Sequence, residues 1–372
     1  RSIGGAFETV TRVLGFGPHG QGQTMALAAF AEGDATRLKD AYSVRSFDEW
    51  TLDEAHLQRL AEQRLAGQDP FSSAQGRSLA ADVQATTEAA MVSLATQGLT
   101  SAENQAASWA IAGGVALNCR ANSVLRNALG APLWVPSSAH DSGTALGAAL
   151  EAAFILGEPE CAPLQNAGLG PSASPDSCEE AMKQRGLKPA FVGEGEALSD
   201  AVVQRLLEGR VLGWVQGAME YGPRALGHRS IIAHPGLRET QAKVNRIKSR
   251  QAWRPFGPSV LSEHAEAWFV DADFGPFMTF TADLQESKRD LVPSVVHVDG
   301  STRPQRVDEH AQPEWRTLIE RFHAATGIPM LLNTSFNGRG EPIVCTPGDA
   351  LDSARRIGLD GIVLGPYLLD LG

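Results

Sequence analysis

Apolar positions in the first third of the chain recur at helical spacing. Leu52, Ala55, Leu57, Leu60, Ala61 and Leu65 form one stripe through residues 51–66, which predicts an amphipathic helix. Thr51 followed by Glu54 reads as its capping box. A second helix is predicted over residues 79–94, with Leu79, Val83, Ala90, Met91 and Leu94 facing inward. The apolar run 109–117 predicts a buried strand, 118–129 a helix stopped by Gly130, and 133–135 a short strand. Residues 142–156 form a helical segment so rich in alanine and glycine that close packing against a neighbour is expected.

Periodicity then fades. Residues 158–189 hold five prolines and predict a linker with one short helix near 175–185. The predicted organisation is a first domain over 1–157, a linker over 158–190 and a second domain over 191–372. In the second domain, helical patterns at 198–208, 238–247, 314–324 and 347–357 alternate with strand candidates at 211–215, 259–261, 277–282, 294–298, 329–332 and 361–364. That mixture predicts an α/β or α+β fold around one sheet.

Composition narrows the function classes. The net charge of −11 argues against a nucleic-acid coat. No apolar run approaches the roughly 18 residues that read as a membrane span, and no signal peptide opens the chain. The four cysteines lie apart with no CxxC pair, which disfavours a zinc ribbon or disulfide framework and fits a reducing, cytoplasmic compartment. Arg1, not methionine, stands first, as in a cut chain or an incomplete record.

One window opposes the overall charge. Between residues 222 and 254 lie Arg224, Arg229, Arg238, Lys243, Arg246, Lys248, Arg250 and Arg254, with Glu239 as the single acid. Guanidinium groups grip phosphate and carboxylate oxygens bidentately, and lysine adds a mobile point charge. Arg303 adds a later cation, and Asn333, Ser335 and Asn337 supply neutral donors and acceptors. A site for a small polyanion follows. Glu220 is placed to orient Arg224 by an ion pair, Pro255 to hold Arg254 in one direction, and Trp253 and Phe256 to fill the core. A second candidate site lies upstream. Gly113 and Gly114 end the predicted strand before Asn118 opens a helix, a turn suited to a phosphate. Asp141 is predicted to cap the helix that begins at Ser142 and holds Gly143, and its carboxylate could also hold a cation.

These stretches carry a resemblance. AGGVALNCRAN and HDSGTALGAAL, preceded by SIGGAFETVTRVLGF and GQGQTMALAAF, resemble the second lobe of an actin-like, sugar-kinase (Kae1-like) ATPase domain; Gln23 stands where that family usually has lysine. GWVQGAMEYGPRALGHRSIIAHP, VNRIKSRQAWRPFGPSV, VHVDGSTRPQRV, LLNTSFNGRGEPIV and DALDSARRIGLDGIVLG resemble the YrdC-like C-terminal domain of O-carbamoyltransferases of the nodulation and antibiotic-biosynthesis type.

The resemblance implies an enzyme that forms carbamoyladenylate from carbamoyl phosphate and ATP, and then passes the carbamoyl group to a hydroxyl of a small molecule. It implies Lys248 and Arg254 as catalytic residues. Arg224, Lys248, Arg254, Arg303 and Asn333 fall to carbamoyl phosphate, and Gly113, Gly114, Asn118, Gly143, Ser335 and Asn337 to the nucleotide. It implies Mg²⁺ with ATP, and a Fe²⁺ or other divalent site in which Asp141 joins an HxxxH pair from a preceding first lobe. No two of the nine histidines here are four residues apart, so that ligand pair is absent from this sequence. His140 and His228 lie inside motifs as candidate proton carriers. Nucleic acid and membrane are not expected partners; a homo-oligomer is compatible. Two rival readings are a threonylcarbamoyl-adenylate-type RNA-modification factor and a non-catalytic nucleotide-binding subunit.

Overall fold

The computed structural model describes residues 2–44, 49–101, 108–158 and 164–371. The chain divides into two compact units, Arg1–Asp141 and Ser142–Gly372.

The first unit is mainly helical. It contains α1 (Ile3–Val13), α2 (Gln21–Ala28), β1 (Tyr42–Val44), β2 (Trp50–Leu52), α3 (Glu54–Leu65), α4 (Ala74–Ser101), β3 (Trp109–Ala110), α5 (Cys119–Leu129) and β4 (Leu133–Trp134). Helix α3 starts later than the sequence predicts. Thr51 belongs to β2, paired with Ser43 of β1, so the cap falls to Asp53, whose side chain accepts from the His56 amide. The strand predicted over 109–117 stops after two residues. Gly113 at φ +100° breaks it, and a 3₁₀ turn, Gly114–Leu117, follows. Helix α5 runs as predicted, capped by Asn118 and ended by Gly130 at φ +58°. Buried Asp82 of α4 binds Arg64 at 2.5 Å and Arg37 at 3.3 Å and accepts the Asp34 amide, so its charge is fully matched.

The second unit contains α6 (Gly143–Ile155), β5 (Gly168–Ser172), α7 (Pro175–Gln184), α8 (Gly195–Leu207), β6 (Leu212–Val215), β7 (Ala218–Glu220), β8 (Arg229–Ala233), α9 (Thr240–Ile247), β9 (Gly257–Leu261), α10 (Ala265–Trp268), β10 (Ala282–Asp283), α11 (Glu286–Arg289), β11 (Ser301–Thr302), β12 (Gln305–Val307), α12 (Pro313–Thr326), β13 (Met330–Ser335), α13 (Pro347–Ile357), β14 (Gly361–Leu364) and β15 (Tyr367–Asp370). Seven strands form one mixed sheet in the order β12-β9-β13-β8-β6-β14-β15, with β12 parallel to β9, β14 parallel to β6 and the other pairs antiparallel. Trp214 of β6, Trp315, Leu318 and Phe322 of α12, and Val202 and Leu206 of α8 bury one face of it.

Several expectations change. Helix α6 has no buried residue, and Leu150, Phe154, Ile155 and Leu156 are exposed, so the expected close packing is not found; its cap position falls on Ser142, one residue after Asp141. The stretch predicted as a linker has its short helix where expected, as α7, but also carries β5, paired with β7; residues 159–163 of it lie outside the described residues. Pro293 turns the valine-rich 294–298 into a 3₁₀ turn, Pro293–Val295, and of 277–282 only Ala282 is strand. Strand β8, fully buried, and strand β15 were not predicted.

Two buried charges fasten the connection between β7 and β8. Glu220 Oε1 accepts the amides of Leu226 at 2.7 Å and of His228 and Arg229 at 3.2 Å. It therefore shapes the 221–229 loop through its backbone and makes no ion pair with Arg224. Arg229, fully buried, donates to the carbonyls of Cys345 at 3.0 Å and of Gln216, Gly217, His228 and Pro171 at 3.1 Å. At Gly227, φ is +97° and a Cβ would lie 2.3 Å from Trp315 Cγ, so the turn accepts glycine alone. Replacing Arg229 removes a donor from five carbonyls, of which those of Gly217 and His228 keep a backbone amide, and takes the buried counter-charge from Glu220. Arg229→Met should lower the unfolding free energy by about 3–5 kcal/mol in urea titrations, and a loss under about 1 kcal/mol would contradict this role.

Candidate anion-binding site

The basic window does not act as one patch. Arg238 pairs with Asp290 at the surface, Lys243 pairs with Asp360 at 2.7 Å, Arg246 is exposed, and Arg229 is consumed by carbonyls. Of the rest, Arg224 lies in the loop after β7, and Lys248, Arg250 and Arg254, with Arg303 from the segment between β11 and β12, form one group. No ion pair joins any of these four to a carboxylate among the described residues.

Local structure fixes each of them. Lys248 is the C-cap of α9, and Ser249 beyond it takes φ +47°. The Lys248 ammonium donates to the Ser335 carbonyl at 2.7 Å, the Asn337 carbonyl at 3.0 Å and Asn337 Oδ1 at 2.8 Å. These acceptors are neutral, so its charge is solvated but not cancelled. Burial, then Arg250 and Arg254, push its pKa down to about 7, and Glu341 opposes the fall. Arg250 donates to Asn245 Oδ1 at 2.5 Å and to the Pro255 carbonyl at 3.2 Å, and its guanidinium lies 4.1 Å above the centre of the Phe256 ring. Burial, then Arg254 and Arg303, lower its affinity for the proton; burial, then Arg303, do the same at Arg254. Through these effects Lys248 is linked to Arg250 and Arg254, and those two to Arg303. The Arg254 guanidinium makes no hydrogen bond among the described residues, and Arg303 Nε is buried with no partner. A Cβ on Gly257 would lie 2.2 Å from the Arg303 carbonyl, so glycine alone lets that segment approach β9.

The remaining predicted residues fall into groups. Asn333 is 1% exposed on β13, its amide nitrogen donating to the Ala225 carbonyl at 3.0 Å, Ser259 Oγ at 2.9 Å and Gln305 Oε1 at 3.3 Å. Arg224 is half-buried in the loop that the Ala225 contact restrains. Ser335 Oγ donates to Asn337 Oδ1 at 2.8 Å, so both residues assigned to nucleotide belong to the shell around Lys248. In the first unit, a Cβ on Gly113 or Gly114 would meet nothing within 4 Å, which leaves open space at that turn. Asn118 exchanges amide hydrogen bonds with Gln84 at 2.9 and 3.1 Å and caps α5. Asp141 and Gly143 end one unit and open α6 in the other. His228 is buried with Nδ1 unpaired, and burial holds its imidazole below the usual pKa. Phe256 is buried as expected, and Trp253 is half-buried.

Sequence reasoning left Arg250, Ser259 and Gln305 out of the site. Arg250 had its signal in the spacing of Lys248, Arg250 and Arg254. Ser259 and Gln305 are polar residues in short apolar strands, and both are buried.

Models of the carbamoyltransferase N-terminus and the carbamoyltransferase C-terminus match residues 1–150 and 203–370. The chain belongs to the carbamoyltransferase family. Among curated relatives of the family, nodulation protein NolNO of Sinorhizobium fredii is 40% identical over 70% of this chain and 39% of its own length. 3'-Hydroxymethylcephem-O-carbamoyltransferase of Amycolatopsis lactamdurans is 33% identical over 68% of this chain and 47% of its own. An uncharacterised protein of Methanocaldococcus jannaschii is 31% identical over 99% of this chain and 62% of its own. The chain spans about half the length of the curated relatives it matches. The family's C-terminal match contains all four clustered cations.

Burial of Lys248 has a pH signature. Its unfolded pKa is near 10.5 and its folded pKa about 7, so between these values the unfolded chain holds a proton that the folded chain lacks. The stability penalty is complete below pH 7 and is relieved as pH rises toward 10. Relative to Lys248→Met, the wild-type protein should therefore gain stability from pH 7 to pH 9.5 in urea titrations, and parallel curves would contradict the shift.

Proposed function

We propose that this chain carries the donor-activating chemistry of an ATP-dependent O-carbamoyltransferase. In this reading residues 191–372 are a YrdC-like domain and residues 1–157 are the second lobe of an actin-like (Kae1-like) domain. The observation that carries the reading is the group of four buried or half-buried cations with no carboxylate paired to them among the described residues. A phosphorylated substrate supplies the missing negative charge.

Lys248 and Arg254 hold the phosphate of carbamoyl phosphate with Arg224 and Arg303, Asn333 meets the carbamoyl end of the same molecule, and Arg250 adds a cation braced on Phe256. Hydrolysis releases phosphate and leaves carbamate. Carbamate attacks the α-phosphorus of ATP, pyrophosphate leaves, and carbamoyladenylate remains. The fixed positive charges favour the charge that develops on the phosphoryl oxygens. Ser335 and Asn337, together with Gly143, are assigned to the nucleotide in the second unit; Gly113, Gly114 and Asn118 are assigned to it in the first. An acceptor hydroxyl then attacks the carbamoyl carbon and releases AMP.

Mg²⁺ arrives on the ATP triphosphate. A resident Fe²⁺ or other divalent site does not fit these residues: among the described residues, no three or more His, Cys, Asp or Glu side chains are grouped to hold an ion, and Asp141 alone does not make one. No step is routed through such a metal. Among the described residues no helix is long and apolar enough to cross a membrane.

Pyrophosphate release from MgATP should depend on carbamoyl phosphate and fall at least 100-fold in Arg254→Ala and Lys248→Ala, the scale expected when a buried charge contact to phosphate is removed, about 3 kcal/mol. Release that is unchanged in both variants, or that needs bicarbonate and threonine instead, would reject the reading.

A further inference from the structure

Charge draws any phosphate into this pocket, so selection of the carbamoyl group needs a neutral determinant. Three buried side chains form a directional chain beside the cations. Gln305 Nε2 donates to the Leu226 carbonyl at 2.8 Å, Ser259 Oγ donates to Gln305 Oε1 at 2.5 Å, and Asn333 Nδ2 donates to the same Gln305 oxygen and to the Ala225 carbonyl. The carbonyls of Ala225 and Leu226 can only accept. Both amides must therefore turn their NH₂ ends toward them, and neither can flip without setting two acceptors face to face.

The consequence lies at the other end of Asn333. Its Oδ1 is a buried acceptor with no partner among the described residues, an arrangement that is destabilising unless something fills it. Asn333 pairs with Gly257 across the sheet, and Gly257 abuts the Arg303 carbonyl. Arg303 Nε is the matching unpaired donor, and Arg254 lies three residues before Gly257. The backbone that carries the unpaired acceptor thus runs, through Gly257, against the backbone that carries the unpaired donor.

We infer that Gln305 is a positioning residue that holds Asn333 Oδ1 as an acceptor for a substrate N–H, so that the pocket selects a carbamoyl group over acyl groups lacking that N–H. The inference rests on the carbamoyl phosphate reading above. The carbamoyl group presents NH₂ where the acetyl group presents methyl. A methyl group against Oδ1 leaves the oxygen unpaired, and sites built on a substrate N–H or O–H discriminate strongly against the analogue without it.

The test uses the full chain with carbamoyl phosphate, acetyl phosphate and inorganic phosphate, followed by calorimetry and by pyrophosphate release. Wild type should prefer carbamoyl over acetyl phosphate by about 100-fold or more, and Gln305→Met should reduce that preference at least tenfold while the Kd for inorganic phosphate and the KM for ATP stay within about twofold. Ser259→Ala, which frees Gln305 from one restraint, should reduce it in the same direction and serves if Gln305→Met does not fold. Equal affinity for the two acyl phosphates in wild type, or an undiminished preference in the folded variants, overturns the inference and leaves the donor reading standing. Failure of wild type to bind carbamoyl phosphate while it binds inorganic phosphate overturns both.

Discussion

Unbalanced positive charge is the constraint around which the second unit is built. Arg250 and Arg254 lower the hold of Lys248 on its proton, Arg254 and Arg303 that of Arg250, and Arg303 that of Arg254, and the neighbours of the group offer carbonyls, amides and a ring face in place of carboxylates. Carboxylate partners would remove much of the cost of burying these groups, but they would also cancel the field that attracts an anion. Dipoles restrain the side chains and leave the field intact. The cost must be met elsewhere, and the seven-stranded sheet with its Trp214, Trp315 and Phe322 core is the part of the unit able to meet it.

Rigid backbone between the cations matters as much as their charge. Glu220 and Arg229 spend their charges inside the fold, one on amides and the other on carbonyls, and so fix the loop that carries Arg224. Gly257 admits the Arg303 segment against β9 because it lacks a Cβ. These residues need touch no ligand, yet their geometry determines whether the cations converge. Preorganised charge is effective because little rearrangement is required when the ligand's charge arrives.

The sequence disclosed what local chemistry dictates. Helix α13 was legible to the residue because Thr346 and Asp349 form a capping box, Pro347 opens the first turn and Gly358 takes the left-handed cap. The basic window was equally visible, but its sorting was not. Arg229 and Arg254 both lie in the basic window; one guanidinium donates to five carbonyls and the other makes no hydrogen bond among the described residues, because only the tertiary fold brings Pro171 and Cys345 to Arg229. Strand β8 was hidden within that window, where attention to charge masked the run Ser230, Ile231, Ile232 and Ala233. The valines at 295, 296 and 298 misled in the opposite direction, since Pro293 dictates a turn. The apolar face of α6 is exposed, and no rule of spacing distinguishes such a helix from one that packs.

Charge and neutral polarity therefore divide the labour within the site. Coulombic attraction acts over several ångströms and tolerates many anions, so it supports capture and proximity. Hydrogen bonds from locked amides act only at contact and only in one direction, which makes them suited to discrimination. Asn333, Ser259 and Gln305 are buried among three strands of the sheet, where their orientation is set by carbonyls that cannot reverse their role. A loop could not hold an unpaired oxygen in one direction, because rotation or water would satisfy it. A sheet can, and the Oδ1 of Asn333, unpaired among the described residues, is what such a sheet leaves for a ligand that donates a hydrogen bond.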